Sequence, residues 1–280
     1  VDSSGCPRII YEGTYQQRCS GYELVQDLDF DSNGDGQIDS NDAYWNENAQ
    51  GIGEGWLPVG TNSSSSRFST TFNGNGYVIK NLTINRPASR FLGLFGSIQN
   101  AVIENVAIAG PNSSIVGDDY VAGLVGYSFA NNRIRNSIVI ATVRGDYYIA
   151  GLIGRTELTT QIENSFTSGL VSGNQYVGGL VGYLYAPNSE SKSTVNHVFS
   201  TAVISGIGNI GGLVGNSNYT DVIHNSYWAK DTTTQATSSR QSEANSYVGL
   251  DLATLQCAIA ENTDSTTGCV SVDGSDEGLN

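Results

Sequence analysis

The string Val121-Ala122-Gly123-Leu124-Val125-Gly126 decides the fold, because the chain repeats it. It stands earlier as Phe91-Leu92-Gly93-Leu94-Phe95-Gly96. It returns later as Ile149-Ala150-Gly151-Leu152-Ile153-Gly154, Val177-Gly178-Gly179-Leu180-Val181-Gly182 and Ile210-Gly211-Gly212-Leu213-Val214-Gly215. Equivalent glycines fall at 93, 123, 151, 179 and 212, in steps of 30, 28, 28 and 33 residues. A fixed period in this range is the signature of a repeat architecture.

A second column runs in step: Ile79-Lys80-Asn81, Ile103-Glu104-Asn105, Ile134-Arg135-Asn136, Ile162-Glu163-Asn164 and Ile223-His224-Asn225, with Val195-Asn196-His197 as an imperfect copy. A third apolar stretch closes on glycine at 141–145, 169–173 and 202–206. Short strands split by Gly and Asn predict an all-β parallel β-solenoid (β-helix) of about 28-residue coils, each with three short faces. Glycines at fixed places let the backbone turn with φ > 0 or approach its neighbour closely. Stacked asparagines are expected to form an amide ladder. A helical repeat is rejected, since each Gly would cost about 1 kcal/mol; a flat sandwich is the competing β architecture. The expected layout is an N-terminal cap at 1–55, the solenoid at 56–230 and a C-terminal cap at 231–280.

The GLVG-type strings, Asn164-Ser165 and the closing Asn225-Ser226-Tyr227-Trp228 with Thr232 to Ser238 resemble the GLUG-motif repeats of bacterial secreted and cell-surface, adhesin-like proteins. Trp56-Leu57-Pro58-Val59-Gly60 and Phe72-Asn73-Gly74-Asn75-Gly76-Tyr77 look like the lead-in strand and tight turn before such repeats. The resemblance covers roughly residues 22–256 and implies a location and a shape more than an activity. The chain departs from it around 186–197 and in its cysteine pairs.

The most specific chemical motif precedes the repeats: Asp31-Ser32-Asn33-Gly34-Asp35-Gly36-Gln37-Ile38-Asp39-Ser40-Asn41-Asp42. Oxygen ligands fall at loop positions 1, 3, 5, 9 and 12, namely Asp31, Asn33, Asp35, Asp39 and Asp42. Gly36 stands at the sharp turn, and Gln37 offers its backbone carbonyl. Ca²⁺ is a hard cation that wants six to eight oxygens, and it is the cofactor this spacing predicts. Asp at position 12 reaches less far than Glu. Tyr22 to Phe30 reads as a strand and not as a flanking helix, so the loop is expected to be structural and dockerin-like, locking the N-terminal cap to the first coil.

Cysteines occur as two local pairs, Cys6 with Cys19 and Cys257 with Cys269, and disulfides are the expected reading. Each would close a loop of about a dozen residues and contribute roughly 3 kcal/mol. Disulfides imply an oxidising compartment, and the absence of CxxC spacing argues against zinc. With 27 acidic against 13 basic residues the formal charge is −14, which excludes nucleic acid as a partner and favours cations. No apolar run spans a bilayer, and a chain starting at Val1 is expected to be mature material.

No catalytic residue is expected. His197 and His224 sit by the Asn column, and Glu104, Glu157, Glu163 and Glu190 look scattered, making no column for paired-carboxylate chemistry. Tyr120, Tyr148 and Tyr176 stand before successive glycine strings, with Tyr127 and Tyr183 after two of them, and form a candidate ligand face for a surface glycan. The third stretch offers Thr142, Leu170 and Val203 in turn, so the regular Thr array of an ice-binding face is missing. Asp251 is expected to cap a short C-terminal helix at 251–259. The expectation is a non-enzymatic, calcium-stabilised extracellular structural or adhesive protein, self-associating into a filament or matrix. Carbohydrate recognition comes second and ice binding third.

Overall fold

A computed structural model describes residues 8–11, 14–17, 19–219, 222–230 and 247–250. The C-terminal helix expected at 251–259, Cys6, Cys257 and Cys269 lie outside the described residues. The described chain is all-β, with a single 3₁₀ turn at Ser189–Ser191. Apart from an antiparallel hairpin of Arg8–Tyr11 with Thr14–Gln17, its strands stack in parallel as a β-solenoid.

The coils stack in four ladders, where three faces were expected. The first ladder stacks Phe95–Ile98, Val125–Ser128, Ile153–Glu157, Val181–Tyr185 and Val214–Ser217. The second carries the Ile-x-Asn column, from Gly21–Glu23 through Asn132–Arg135 to Ile223–His224, but the expected member Ile79-Lys80-Asn81 is not in it: Val78–Lys80 lies in the widest ladder, with Ile79 in register with Ile108, and Phe72 and Asn73 stand against Ile103 and Glu104 instead. The third is widest and holds the long strands Ile138–Arg144 and Phe166–Ser172. The fourth stacks Val121–Ala122, Tyr147–Ala150, Gln175–Gly178 and Gly208–Gly211. The extra face arises because the glycine string is a corner: Val121–Ala122 ends one strand, Val125 starts the next, and Gly123-Leu124 turns between them.

These string glycines do not carry positive φ; their purpose is close approach. A Cβ on Gly151 would meet the Gly179 carbonyl oxygen at 2.5 Å, and one on Gly154 would meet the Gly126 oxygen at 2.6 Å. The left-handed conformation falls instead on Asn105, Asn136, Asn164, His197 and Asn225 (φ 45° to 55°) and on Phe91, Tyr120, Tyr148, Tyr176 and Asn209 (φ 53° to 63°). Asn tolerates that region, whereas an aromatic there is unusual and has to be held by its surroundings.

The interior is a set of apolar columns. Leu94, Leu124, Leu152, Leu180 and Leu213 stack at one corner; Ile103, Ile134, Ile162, Val195 and Ile223 line another wall, all at most 4% exposed. Full burial of each aliphatic side chain stabilises the fold by roughly 1.5–3 kcal/mol. Where the column turns polar, the groups satisfy each other: Thr167 Oγ1 donates to the Gly179 carbonyl (2.8 Å) and lies 2.9 Å from Ser200 Oγ.

The asparagine ladder is present. Asn105 Nδ2 donates to Asn73 Oδ1 (3.0 Å), Asn136 to Asn105 (3.1 Å) and Asn164 to Asn136 (3.3 Å). His197 interrupts it, and Asn225 then donates to Asn196 (3.1 Å). One expectation is corrected: Glu104 and Glu163 do share a column, registered as Glu104, Arg135, Glu163, Asn196 and His224. Their signs alternate with Arg135, which pairs with Glu104 at 2.6 Å, while Arg133 pairs with Glu163 at 2.7 Å. Arg and Glu residues facing across 4.8 Å-type strand spacing neutralise each other, which is why the column is tolerated.

The ladders begin before Trp56. The stretch expected as one strand at 22–30 forms two, Gly21–Glu23 on Thr71–Asn73 and Leu28–Asp29 on Val78–Lys80. The 56–60 segment makes one isolated bridge, Val59 with Phe95, next to that of Gly55 with Ile84. The tight turn is real: Tyr77 N donates to the Gly74 carbonyl (2.9 Å), with Asn75 and Gly76 at φ 54° and 82°.

Candidate functional site

The loop 31–42 is positioned by a small aromatic anchor. Phe30, 1% exposed, packs against Tyr44 (4.8 Å between centroids) and Trp56 (5.9 Å), and Trp56 Nε1 donates to the Leu94 carbonyl at 3.0 Å. Asp29 Oδ1 accepts from Asn81 Nδ2 (2.9 Å), and Asn112 Nδ2 donates to the Gly36 carbonyl (3.2 Å), so the entry to the loop and its central turn are tied to neighbouring coils.

Within the loop, carboxylates fold back on the backbone. Asp31 accepts from Asp35 N (3.1 Å) and Gly36 N (2.8 Å), Asn33 Oδ1 from Asp35 N (2.9 Å) and Asp35 Oδ1 from Gln37 N (2.9 Å). Asp39 Oδ1 accepts from Asn41 N (2.8 Å). Asp42 accepts from Ser32 N (2.6 Å), Ser32 Oγ (3.1 Å) and Asp39 N (2.9 Å), closing the ring between the loop's second and last residues. Gly36 turns at φ 87°, as the motif requires. Burial pushes the Asp42 carboxyl up, but the backbone hydrogen bonds from Asp39 and Ser32 and that from the Ser32 hydroxyl outweigh it, leaving Asp42 below its ordinary value. The donor set suits a hard cation: the side-chain oxygens are Asp31, Asn33, Asp35, Asp39 and Asp42, with no nitrogen or sulfur ligand. Asp31, Asn33 and Asp35 meet over one run of backbone N–H groups, and Asp42 is brought against Ser32.

Among the described residues, the group of three acids whose oxygens lie within 4.8 Å of one another is a different one, Asp118, Asp119 and Asp146. Stacking explains it. Asp119 pairs with Arg90 and accepts from Tyr147 N (3.3 Å), while Asp146 accepts from Asn174 Nδ2 (2.5 Å).

The tyrosines form one array. Phe91, Tyr120, Tyr148 and Tyr176 stack face to face at 4.6, 4.7 and 4.9 Å, with interplanar angles of 21°, 30° and 11°. Each inner ring uses its faces on its neighbours, so Tyr120 and Tyr148 offer edges and hydroxyls, not the open face on which a sugar ring would lie. A parallel column follows the glycine string: Tyr127, Arg155 and Tyr183 in register. Arg155 was not singled out from the sequence, although it occupies the place after Gly154 that tyrosine holds in the flanking coils. Its guanidinium lies over Tyr148 (5.3 Å), Tyr183 (5.7 Å) and Tyr185 (4.8 Å) and meets Glu157 at 3.2 Å. Tyr127 donates to Glu157 at 2.6 Å; burial first, and that hydrogen bond second, push its phenol far above the ordinary value. Such a cation sandwiched between rings stabilises the stack.

Cys19 is disulfide-bonded, and its partner lies outside the described residues. His197 stands in the Asn column at φ 50°, and His224 lies one column over, in register with Asn196. Among the described residues no helix is long and apolar enough to cross a membrane.

Two curated proteins are similar to parts of the chain. A "Putative Gly-rich membrane protein" of Evansella cellulosilytica is 34% identical over 112 residues, 40% of this chain and 11% of that protein. "Halomucin" of Haloquadratum walsbyi is 32% identical over 108 residues, 38% of this chain and 1% of that protein. The match thus spans a small part of either relative. No family model and no solved structure matches the chain.

Proposed function

We propose that the chain is a non-enzymatic, calcium-stabilised structural or adhesive rod of the cell surface or extracellular space, built on GLUG-type repeats, that associates with copies of itself. The observation that carries this reading is the outward face of the widest sheet. Ile138, Phe166, Phe199 and Tyr227 form one column there, and Thr142, Leu170 and Val203 another. Ile138, Ile140, Phe199 and Val203 are 40–50% exposed. No acidic side chain stands in these two columns, on a chain of formal charge −14. Copies repel one another over most of their surface but can bury this flat apolar strip against each other, and an exposed patch of this kind marks an interaction site.

The name of the Evansella relative, a membrane protein, supports a surface location. So does the disulfide at Cys19, for which Cys6 is the proposed partner. Calcium at Asp31, Asn33, Asp35, the Gln37 carbonyl, Asp39 and Asp42 would neutralise the acidic end and fix it to the first coils through Asn81, Asn112 and Trp56.

Light scattering and electron microscopy of calcium-loaded protein test the association. Concentration-dependent growth into oligomers or filaments, lost in F199S/V203S, is the expected result. A monodisperse monomer at the highest attainable concentration sinks the self-associating reading.

A further inference from the structure

The outward face of the widest sheet changes along the molecule. In the middle coils one strand runs unbroken across it, as Ile138–Arg144 and Phe166–Ser172. In the two coils before them the strand is split, into Val78–Lys80 with Thr83–Asn85 and into Ala107–Ala109 with Ser114–Val116. Register shows what is inserted: Gly110-Pro111-Asn112-Ser113 stands where the next coil has Ala141 alone. Earlier still, the chain leaves this ladder after Phe30 and rejoins it at Gly55, which bridges Ile84. The loop 31–42 belongs to that excursion.

Both insertions rise on the solvent side. Ile79, Ile84, Ile108 and Ile115, each at most 1% exposed, fill the inner side of these strands, so the added residues have only the outer side to occupy. There the two loops meet, Asn112 Nδ2 donating to the Gly36 carbonyl at 3.2 Å. The face thus has a flat apolar half, from Ile138 to Tyr227, that ends against a raised half carrying Asp31, Asp35, Asp39 and Asp42. This step governs how two copies can lie face to face. With their long axes parallel, the raised loops of both copies stand at one level and, being inserted mid-strand, meet head-on. They then hold the sheets apart and bring two sets of like charges together. With the axes antiparallel, the loops go to opposite ends and the flat halves cover one another.

The geometry points to an antiparallel dimer with two-fold symmetry, its flat halves face to face and Phe166 of each copy over Phe199 of the other. Packed sheets lie about 10 Å apart, a gap that apolar side chains fill and that a raised loop does not fit. A two-fold interface uses the same patch on both copies, so association through this strip closes at two. The inference rests on the self-association proposed above and deepens it by fixing the orientation and number of copies.

Light scattering and double electron–electron resonance on the calcium-loaded chain test it, with a spin label on S40C. Ser40 is exposed and is not one of the expected ligand positions, and among the described residues no cysteine is free. The unsubstituted chain, treated with the same label, reports any background. Through Ile79, Ile108 and Val139, Leu28 lies four rungs of the ladder from Thr167 and five from Ser200. Rungs are about 4.8 Å apart, so an axis between the Phe166 and Phe199 rungs puts the two labels roughly 40 Å apart, against less than roughly 20 Å in a parallel dimer. The expected result is a mass that doubles with concentration and then stops, the long label distance, and loss of both in F199S/V203S. A monomer at the highest attainable concentration overturns self-association and this dimer with it. A dimer with the short distance, growth beyond two copies that F199S/V203S abolishes, or a long distance that survives F199S/V203S overturns the antiparallel dimer and leaves self-association standing. Circular dichroism on each variant ensures that lost association is not lost fold.

Discussion

The coils between Leu92 and Ser217 and the loop at 31–42 are both dense in hydrogen bonds, but different forces hold them. In the coils each residue meets its own counterpart above and below: Leu124 sits between Leu94 and Leu152, and Val125 pairs with Phe95 and Ile153. Their energy lies in apolar burial and backbone pairing, which respond weakly to salt and pH. In the loop, Asp31, Asp35, Asp39 and Asp42 cap N–H groups of their own segment. Four carboxylates in twelve residues, on a chain of charge −14, make that segment's stability a matter of electrostatics. The contrast to be tested is therefore between a rod expected to be insensitive to ions and an end expected to respond to them.

The comparison breaks first, and by the largest margin, if the coils prove tolerant. Leu152→Ala should cost about 2–5 kcal/mol, since the side chain is fully buried and the strands around it cannot collapse without breaking two ladders. Urea denaturation followed by circular dichroism should show that loss equally with calcium and with chelator. A loss that appears only in chelator would mean that the core leans on the cation after all.

The loop should behave in the opposite way. Saturating calcium at a hundredfold excess over its dissociation constant stabilises whatever unfolds with the site by about 2.7 kcal/mol, visible as a rise in melting temperature. Asp35→Ala should abolish the calcium response while leaving the chelated melt nearly unchanged. Acid sharpens the contrast. The folded Asp42 carboxyl sits below its unfolded value, so its stabilising contribution is complete above about pH 4 and disappears as the pH falls through the folded value. Asp42→Asn should therefore lower stability at pH 7 in calcium-free buffer and lower it less at pH 2. An equal deficit at both values would show that its hydrogen bonds to Ser32 and Asp39 do not depend on charge.

What was legible in the sequence follows the same division. Repetition reveals register: once Gly123 and Gly151 are aligned, the pairing of Ile134 with Ile162 and the ladder from Asn105 to Asn164 follow without knowing the structure. Repetition hides backbone conformation, however. The string glycines left positive φ and close approach both open; the structure takes the second, because one coil's carbonyl crowds the next, and the left-handed residues are tyrosines and asparagines elsewhere in each coil. Arg155 escaped notice because it breaks a tyrosine column, and the Glu104–Arg135–Glu163 column because its members alternate in sign. The loop's acidic spacing and its turn at Gly36 were readable, as they are local. Its anchorage through Phe30, Asn81 and Asn112 was not, since those contacts join residues distant in sequence.

The smallest effect separates two roles that the coils assign to one residue. Asn136 holds φ at 50°, donates to Asn105 and accepts from Asn164, all on an exposed edge. Replacing it with Gly keeps the left-handed backbone and removes both amide bonds; replacing it with Ala removes the bonds and forces a Cβ into that conformation. Solvent competes for exposed amides, so Asn136→Gly should cost only about 0.5–1.5 kcal/mol. Asn136→Ala should cost about 1 kcal/mol more, the left-handed penalty. The same denaturation measurement reads both. If Gly and Ala are equally damaging, the ladder bonds and not the turn hold the corner, and the stack is more a polar structure than its apolar core suggests. If Gly is neutral, the asparagines are there for their backbone alone, and the amide ladder is a consequence of the register, not a cause of it.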